Sequence, residues 1–294
     1  MQITRRRFAT LSLLSLAGLP TLRPAFAADL EHAVFWRARL PARDLIFFGY
    51  ARTRATFLPE MTAEGKKLID ATKRVLIDMN PSLTLANTTF RNSELKPVLP
   101  TLPPPYREDL AAILTTSPAK DDIEKIPGFA ASILLLGEGQ QGYSPEEPSI
   151  GYALANYAVA AGRDVKTLAS DEEIKAAQKP LDAETVNSVG AVAITHLLDL
   201  RRRIGPIGAH MDTLYKQRKS GELARLGAEI TAKGILTPTD FMDIDRLHAL
   251  FVERITRLPE GTSAFVIMPV GLMSDPYGIF DDLRSQGAEV TAIG

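Results

Sequence analysis

The sequence predicts an α/β (α+β) fold: two related βαβ halves forming a central sheet, with a helical insert between them. Three observations carry this. A pair of apolar runs, an amphipathic stretch and a third run follow one another near the N-terminal side. A run, an amphipathic stretch and a run recur at the C-terminal end. Between them, apolar residues recur mostly at helical spacing.

In chain order, Ala33–Ala38 and Asp44–Phe48 read as two strands joined by a turn at Pro41-Ala42, with Gly49 ending the second. Thr62–Arg74 carries leucine, isoleucine and alanine at helical spacing, and Val75–Met79 is a short apolar run stopped by Pro81. Strand, helix and strand at this spacing predict a parallel βαβ unit. Residues 97–131 contain Pro103-Pro104-Pro105, followed by helical patterning at Tyr106–Leu114 and Asp121–Leu136. Ile150–Ala161 is a helix with Gly162 as its cap, and Val165–Leu168 a short strand. Glu184–Glu229 is a long helical region interrupted at Gly205-Pro206, and Leu247–Leu258 a further helix. Ala264–Met268 is the clearest buried strand. Tyr277–Gln286 forms a helix capped by Gly287, and Glu289–Ile293 a last strand. The helical insert therefore covers about residues 95–140 and 184–258. No repeat at fixed period and no low-complexity tract is present.

Composition narrows the chemistry. The 294 residues are 45% hydrophobic and 23% charged, enough apolar content for one large domain to fold unaided. Zero cysteines exclude disulfides, thiolate metal sites, a cysteine nucleophile and a lipidated cysteine anchor. A net charge of -1 argues against a nucleic-acid partner or adhesion to anionic lipid. Only four histidines are present, at 32, 196, 210 and 248, scattered and each expected to be a packed or surface side chain, since a metal site needs converging ligands.

Residues 1–27 read as an export signal. Arg5-Arg6 precedes a short apolar run from Leu11 to Leu19, and Ala25-Phe26-Ala27 supplies a cleavage site of small residues. The arginine pair marks a twin-arginine type, with an ordinary Sec signal as the alternative. Four of the 34 basic residues and none of the 35 acidic ones lie in it, so residues 28–294 carry a net charge of -5. No other run approaches the roughly 18 apolar residues that a span requires. The expectation is a single periplasmic domain over 28–294 with no membrane span.

Generic motifs contribute little. Gly137-Glu138-Gly139-Gln140-Gln141-Gly142 matches G-x-G-x-x-G, but it runs into Tyr143-Ser144-Pro145 rather than into a helix. It reads as a flexible loop and not as a dinucleotide site. Asp240, Asp243 and Asp245 read as acids at a helix N-terminus, and Arg201-Arg202-Arg203 as a solvated charge run.

The order of segments resembles that of the TraB/GumN family, relatives of the Tiki metalloproteases. Phe35-Trp36-Arg37 with Leu45–Gly49 is similar to the family's opening hairpin, and Leu58-Pro59 with the helix to Arg74 to its first crossover. Val75–Pro81 is similar to the acidic strand end that follows, and Pro100–Leu136 to the first helical insert. Phe265-Val266-Ile267 through Gly271, Pro276 and Gly278, then Leu283–Gly287, is similar to the C-terminal strand, loop, helix and strand. The resemblance spans about residues 33–294. It implies two strand-end G-x-x-H motifs whose histidines meet a glutamate around a divalent metal such as Mn or Zn.

The residues at those positions depart from the pattern. The first motif falls on Gly49-Tyr50-Ala51-Arg52, with arginine at the histidine, and the second on Gly271-Leu272, with leucine there. The family's aspartate falls on Gly151, its next strand-end glutamate on Ala169 and its glutamine on Ile174. The first strand-end glutamate is shortened to Asp78, and one arginine persists as Arg246. Arginine is always protonated and leucine has no lone pair, so neither ligates a metal.

The resemblance thus implies a catalytically degenerate binding or scaffold protein with no metal. Its altered cleft would carry Asp78, Arg52 and Arg246, and also Arg54, as an ion-paired network or a pocket for a peptide or anionic ligand. Gly49 and Gly271 would be the cleft-forming turns. The alternative is a metal-dependent hydrolase or peptidase with a rebuilt site, in which Asp78 and Asp275 hold a hard cation through oxygen. For export, replacing Arg5 and Arg6 together by lysine is expected to abolish periplasmic accumulation in a fractionation assay; unchanged accumulation would assign the Sec route instead.

Overall fold

The structure, a computed structural model, describes residues 30–293 except 81–82, 84–91, 118–119, 145, 237 and 274–277. The export signal and Asp275 lie outside the described residues. Strands β1 (Phe35–Leu40) and β2 (Arg43–Tyr50) pair antiparallel around a turn where Ala42 has φ 57°. From β2 the chain passes into helix Pro59–Asp70, which begins with proline, where a missing N–H costs nothing. It returns in β3 (Arg74–Ile77). Helix Ile150–Ala160 leads through Gly162, at φ 70°, into β4 (Asp164–Thr167). The C-terminal unit is β5 (Ser263–Pro269), helix Ile279–Ser285 and β6 (Glu289–Ala292).

These strands form one mixed sheet in the order β4-β3-β5-β2-β1-β6. The two predicted βαβ units interleave. β5 enters between β2 and β3 and runs parallel to both, pairing Phe47 with Val266 and Val75 with Phe265. β6 crosses to the far edge, antiparallel to β1. Ala264 through Met268 are all fully buried, as a central parallel strand covered on both faces requires.

Alternation divides the core by face. Phe35, Phe48, Val75, Ile77, Phe265 and Ile267 face helices Pro59–Asp70 and Ile150–Ala160. Trp36, Leu45, Phe47, Leu76, Val266 and Met268 face helices Ile244–Thr256 and Ile279–Ser285. There the Phe280 ring meets Trp36 and Phe47, each at 5.3 Å between centroids. A separate helical core, built on Leu110, Leu114, Leu135, Ile194, Leu197 and Ile207, forms the insert.

Three expectations are revised. The helix expected over 121–136 is Gly128–Gly137, because Pro127 holds Ile126 extended and lacks the N–H that an interior turn needs. The region 184–229 is four helices, Ala183–Asn187, Ala191–Ile204, Ile207–Lys216 and Ser220–Thr231, with breaks at Gly190, at Gly205 (φ 80°) and at Arg218 (φ 60°). Helix Ile244–Thr256, expected in the insert, instead lays Leu247, Phe251 and Ile255 on the sheet. Among the described residues, no helix is long and apolar enough to cross a membrane.

Two glycines test the packing. A Cβ on Gly128 would sit 1.7 Å from the Val189 carbonyl oxygen, whereas one on Gly227, within helix Ser220–Thr231, meets nothing within 4 Å. In denaturant melts, Gly128→Ala is expected to destabilise by about 2 kcal/mol or more through backbone displacement. Gly227→Ala is expected to stabilise by roughly 0.5–1 kcal/mol.

Candidate functional site

Open sheets of this kind place their sites beyond the carboxyl ends of the parallel strands, where connections diverge to opposite sides. Here β2 ends at Gly49-Tyr50, β3 at Ile77 before Asp78, β4 at Thr167 before Leu168-Ala169, and β5 at Pro269 before Val270-Gly271-Leu272. The backbone continues the ladder past the strands: the Asp78 N–H donates to Ile267 O at 3.0 Å, and the Ala169 N–H donates to Asp78 O at 3.1 Å. Asp78 is thereby fixed at the centre of this edge and is 5% exposed.

The partner of Asp78 is a phenol. Tyr50 Oη donates to Asp78 Oδ2 at 3.1 Å, and Asp78 Oδ1 is buried without a hydrogen-bond partner among the described residues. Burial raises the Asp78 carboxyl to about 7, against the weaker opposing pulls of the Tyr50 hydroxyl, the amides of Met79 and Asp78, and the Arg52 charge. Burial, reinforced by the Asp78 charge, likewise raises Tyr50 and keeps it a donor. Tyr152 is raised by the same two causes. The rings form a short wall: Tyr50 and Tyr152 lie 6.5 Å apart between centroids, and Tyr143 meets Tyr152 edge-on at 6.3 Å.

Two glycines allow close packing at this strand end, and one of them makes room for the wall. A Cβ on Gly151 would fall 2.8 Å from Tyr50 Cγ, so the ring rests on bare backbone there. A Cβ on Gly49 would fall 2.9 Å from Trp36 Cζ3, and the Gly49 carbonyl accepts from Tyr215 Oη at 2.9 Å. Gly271 has no such role: it is exposed, and nothing lies within 4 Å of its would-be Cβ.

The insert is fastened beside this edge by a buried carboxylate. Asp212, in helix Ile207–Lys216, accepts from Thr53 Oγ1 at 2.6 Å and from the Gln141 N–H. Arg54 donates to Gln141 Oε1 at 2.6 Å and to Glu147 Oε2 at 3.0 Å. Arg201 forks onto Glu138 at 2.5 and 2.7 Å. The glycine-rich segment expected as a flexible loop is therefore tied at Glu138 and Gln141. It follows helix Gly128–Gly137 rather than a strand, which removes the dinucleotide geometry.

The expected ion-paired network is corrected. Among the described residues no arginine pairs with Asp78. Arg52 is exposed beside the cluster and acts on Asp78 only through its charge. Arg54 is committed to Glu147 and Gln141. Arg246 is exposed at the start of helix Ile244–Thr256 and donates to the Ala176 carbonyl at 3.2 Å. An arginine kept in water retains its hydration, which a buried carboxyl would strip from it. The run Arg201–Arg203 is not merely solvated either, since Arg202 pairs with Asp109 and Asp199 and Arg203 with Glu229. Asp243 caps its helix as expected, accepting from the Arg246 N–H. His196 Nε2 lies 3.0 Å from Glu229 O and His248 Nε2 3.6 Å from Asp282, both remote in sequence from the strand ends.

The strand-end positions to which the resemblance carries metal ligands do come together. Arg52, Asp78, Ala169 and Leu272 follow the ends of four adjacent strands, and Ala169 and Leu272, like Ile174, are buried in the core. Their chemistry does not fit a divalent metal: one carboxyl is engaged by Tyr50, and the others are a cation and two apolar side chains. Sequence reading missed Tyr50 and Tyr152 as the groups beside Asp78, and Tyr143 behind Tyr152. The available signal was Tyr50 itself, immediately after a strand-ending glycine. Compared with protein-family models, with curated proteins and with solved structures, the chain matches none.

The buried carboxyl makes stability depend on pH. An acid raised to about 7 in the fold but near 3.9 when unfolded keeps a proton that the unfolded chain releases. Its contribution therefore becomes less favourable as pH rises from about 4 to 7, then stays level. Asp78→Asn removes this dependence and keeps an acceptor for Tyr50. In urea melts the variant is expected to gain about 2–4 kcal/mol relative to the parent between pH 4.5 and pH 8. A constant difference across that range would show that Asp78 is not held protonated.

Proposed function

We propose that this chain is an exported TraB/GumN-like domain whose metal site has been replaced by a non-catalytic binding cleft. The cleft takes a peptide or a small anionic ligand at the carboxyl ends of β2, β5 and β3. One observation carries the reading: Arg52, Asp78, Ala169 and Leu272 follow the ends of four neighbouring strands, yet offer a single carboxyl, already hydrogen-bonded to Tyr50, where a metal needs several converging lone pairs. Around that carboxyl stand a guanidinium and an aromatic wall, groups that suit recognition of a carboxylate-bearing or peptide-like molecule. Export rests on residues 1–27, with their arginine pair and Ala25-Phe26-Ala27.

The test is a thermal-shift titration of the purified chain after removal of residues 1–27. Mn²⁺, Co²⁺ and Zn²⁺ are expected to give no saturable rise in Tm, while short peptides or carboxylates do. Stoichiometric metal binding with a large stabilisation would overturn the reading in favour of a rebuilt metal-dependent hydrolase.

A further inference from the structure

We propose that a phosphate monoester of a small molecule binds at the amino end of the sheet, its phosphoryl oxygens held by Arg39, Arg43 and Ser263. This site lies at the opposite end of β2 and β5 from Asp78 and is independent of the cleft proposed above.

The turn between β1 and β2 meets the loop that enters β5 around a cavity of about 380 Å³ that opens to solvent. That volume falls within the range of small-molecule sites. Arg39, Ala42, Arg43, Asp44, Gly261 and Ser263 line it. Its two loops are fixed to one another. The Gly261 N–H donates to Ala42 O at 2.7 Å, and the Asp44 N–H donates to Thr262 O at 3.0 Å. Ala42 and Gly261 are both left-handed, at φ 57° and 75°, a conformation that alanine adopts only where its surroundings hold it there. With these amides already taken, recognition of a ligand falls to the side chains.

Charge singles this cavity out. Most arginines of the described residues face a carboxylate. Arg39 and Arg43 do not. Arg39 is exposed, with Asp44 on β2 and Glu289 on β6 as its cross-strand neighbours. Asp44 is the one acid lining the cavity, and Arg37 engages both its oxygens, Nε donating to Oδ1 at 2.7 Å and Nη2 to Oδ2. Glu289 is exposed, and among the described residues it forms no ion pair with Arg39. Arg43 is half-buried and anchored by carbonyls. Its Nε donates to Leu258 O at 2.5 Å and its Nη1 to Pro41 O at 3.4 Å, which leaves Nη2 and the positive charge unmatched among the described residues. The Ser263 hydroxyl also has no partner among them, whereas Thr262 Oγ1 donates to the Pro259 carbonyl at 2.5 Å.

These three groups select the ligand. Guanidinium groups only donate, so the cavity calls for an acceptor-rich anion. A carboxylate brings one charge and two oxygens, which a single guanidinium fork satisfies, and the second cation would stay unmatched. A phosphate monoester brings a charge of about −1.5 to −2 and three acceptor oxygens, a match for two guanidinium groups and a hydroxyl. The cavity leaves room for the esterified group beyond them.

The experiment is calorimetric titration of the chain lacking residues 1–27, which keeps every described residue, at an ionic strength held constant with chloride. The probes are glycerol 3-phosphate, inorganic phosphate, glycerol and acetate. Glycerol 3-phosphate is expected to bind saturably and at least as tightly as inorganic phosphate, acetate about tenfold or more weakly, and glycerol not at all. Arg39→Gln and Arg43→Gln, each checked for a native circular-dichroism spectrum, are expected to weaken the ester about tenfold or more. Arg107→Gln, in the insert, is expected to keep the parent affinity. Unaltered affinity in Arg39→Gln, acetate binding as tightly as the ester, or no saturable binding of either phosphate would overturn the site. Inorganic phosphate binding with the ester excluded would overturn the ligand class. Loss of ester binding in Arg52→Ala instead of Arg39→Gln would move the anion to the cleft at the other end of the sheet and overturn this assignment.

Discussion

The molecule is organised by the insertion of one strand. β5 comes from the last part of the chain, yet it hydrogen-bonds along its length between β2 and β3, which come from the first. Its five central residues are wholly buried because each face of the strand is covered by a helical layer. Without β5 the N-terminal strands would form a hairpin and a separate β3-β4 pair, sharing no edge. With it, the carboxyl ends of four parallel strands lie side by side, with Tyr50 and Asp78 at two of them, Tyr152 on helix Ile150–Ala160 and Tyr143 in the segment before that helix.

Asp78 acquires its character from that placement. The Ile267 carbonyl and the Ala169 amide hold its backbone between two neighbouring strand ends, and the residue is 5% exposed. A carboxyl in that position either finds a charged partner or remains largely neutral at moderate pH. Of the arginines expected to meet it, Arg54 bonds Glu147 and Gln141, Arg246 bonds the Ala176 carbonyl, and Arg52 stays exposed. The hydroxyl of Tyr50 supplies a donor without a charge, and Gly151 supplies the space for its ring. The Asp212 clamp on Thr53 and Gln141 then ties the insert to the same edge of the sheet.

Much of this was legible from residue patterns. The hairpin, the helix that leads to β3, the Gly162 and Gly287 caps and the buried β5 run all follow from local apolar period and turn chemistry, which depend on nearby residues. The position of β5 within the sheet did not follow, because strand order is set by which faces find cover and has no local signature. The same limit governed the site. Asp78 and Gly49 stood out as strand-end residues, but the pairing of Tyr50 with Asp78 joins positions 28 residues apart. The Thr53–Asp212 contact joins positions 159 apart. Charge complementarity alone suggested arginine partners for Asp78, and it failed because it ignores the cost of dehydrating a guanidinium. Gly271 was overvalued for the converse reason: a glycine after a strand marks a close approach only when something approaches.

The central claim is that the strand ends hold a buried carboxyl paired with a phenol rather than with a cation. Carbon-13 NMR of the aspartate carboxyl groups, with Asp78 assigned by comparison with Asp78→Asn, reads that carboxyl directly as pH is varied. A titration midpoint of about 7 is the result this account predicts. A midpoint at or below the ordinary aspartate value of about 3.9 would contradict it, because only a solvated or ion-paired carboxylate titrates there.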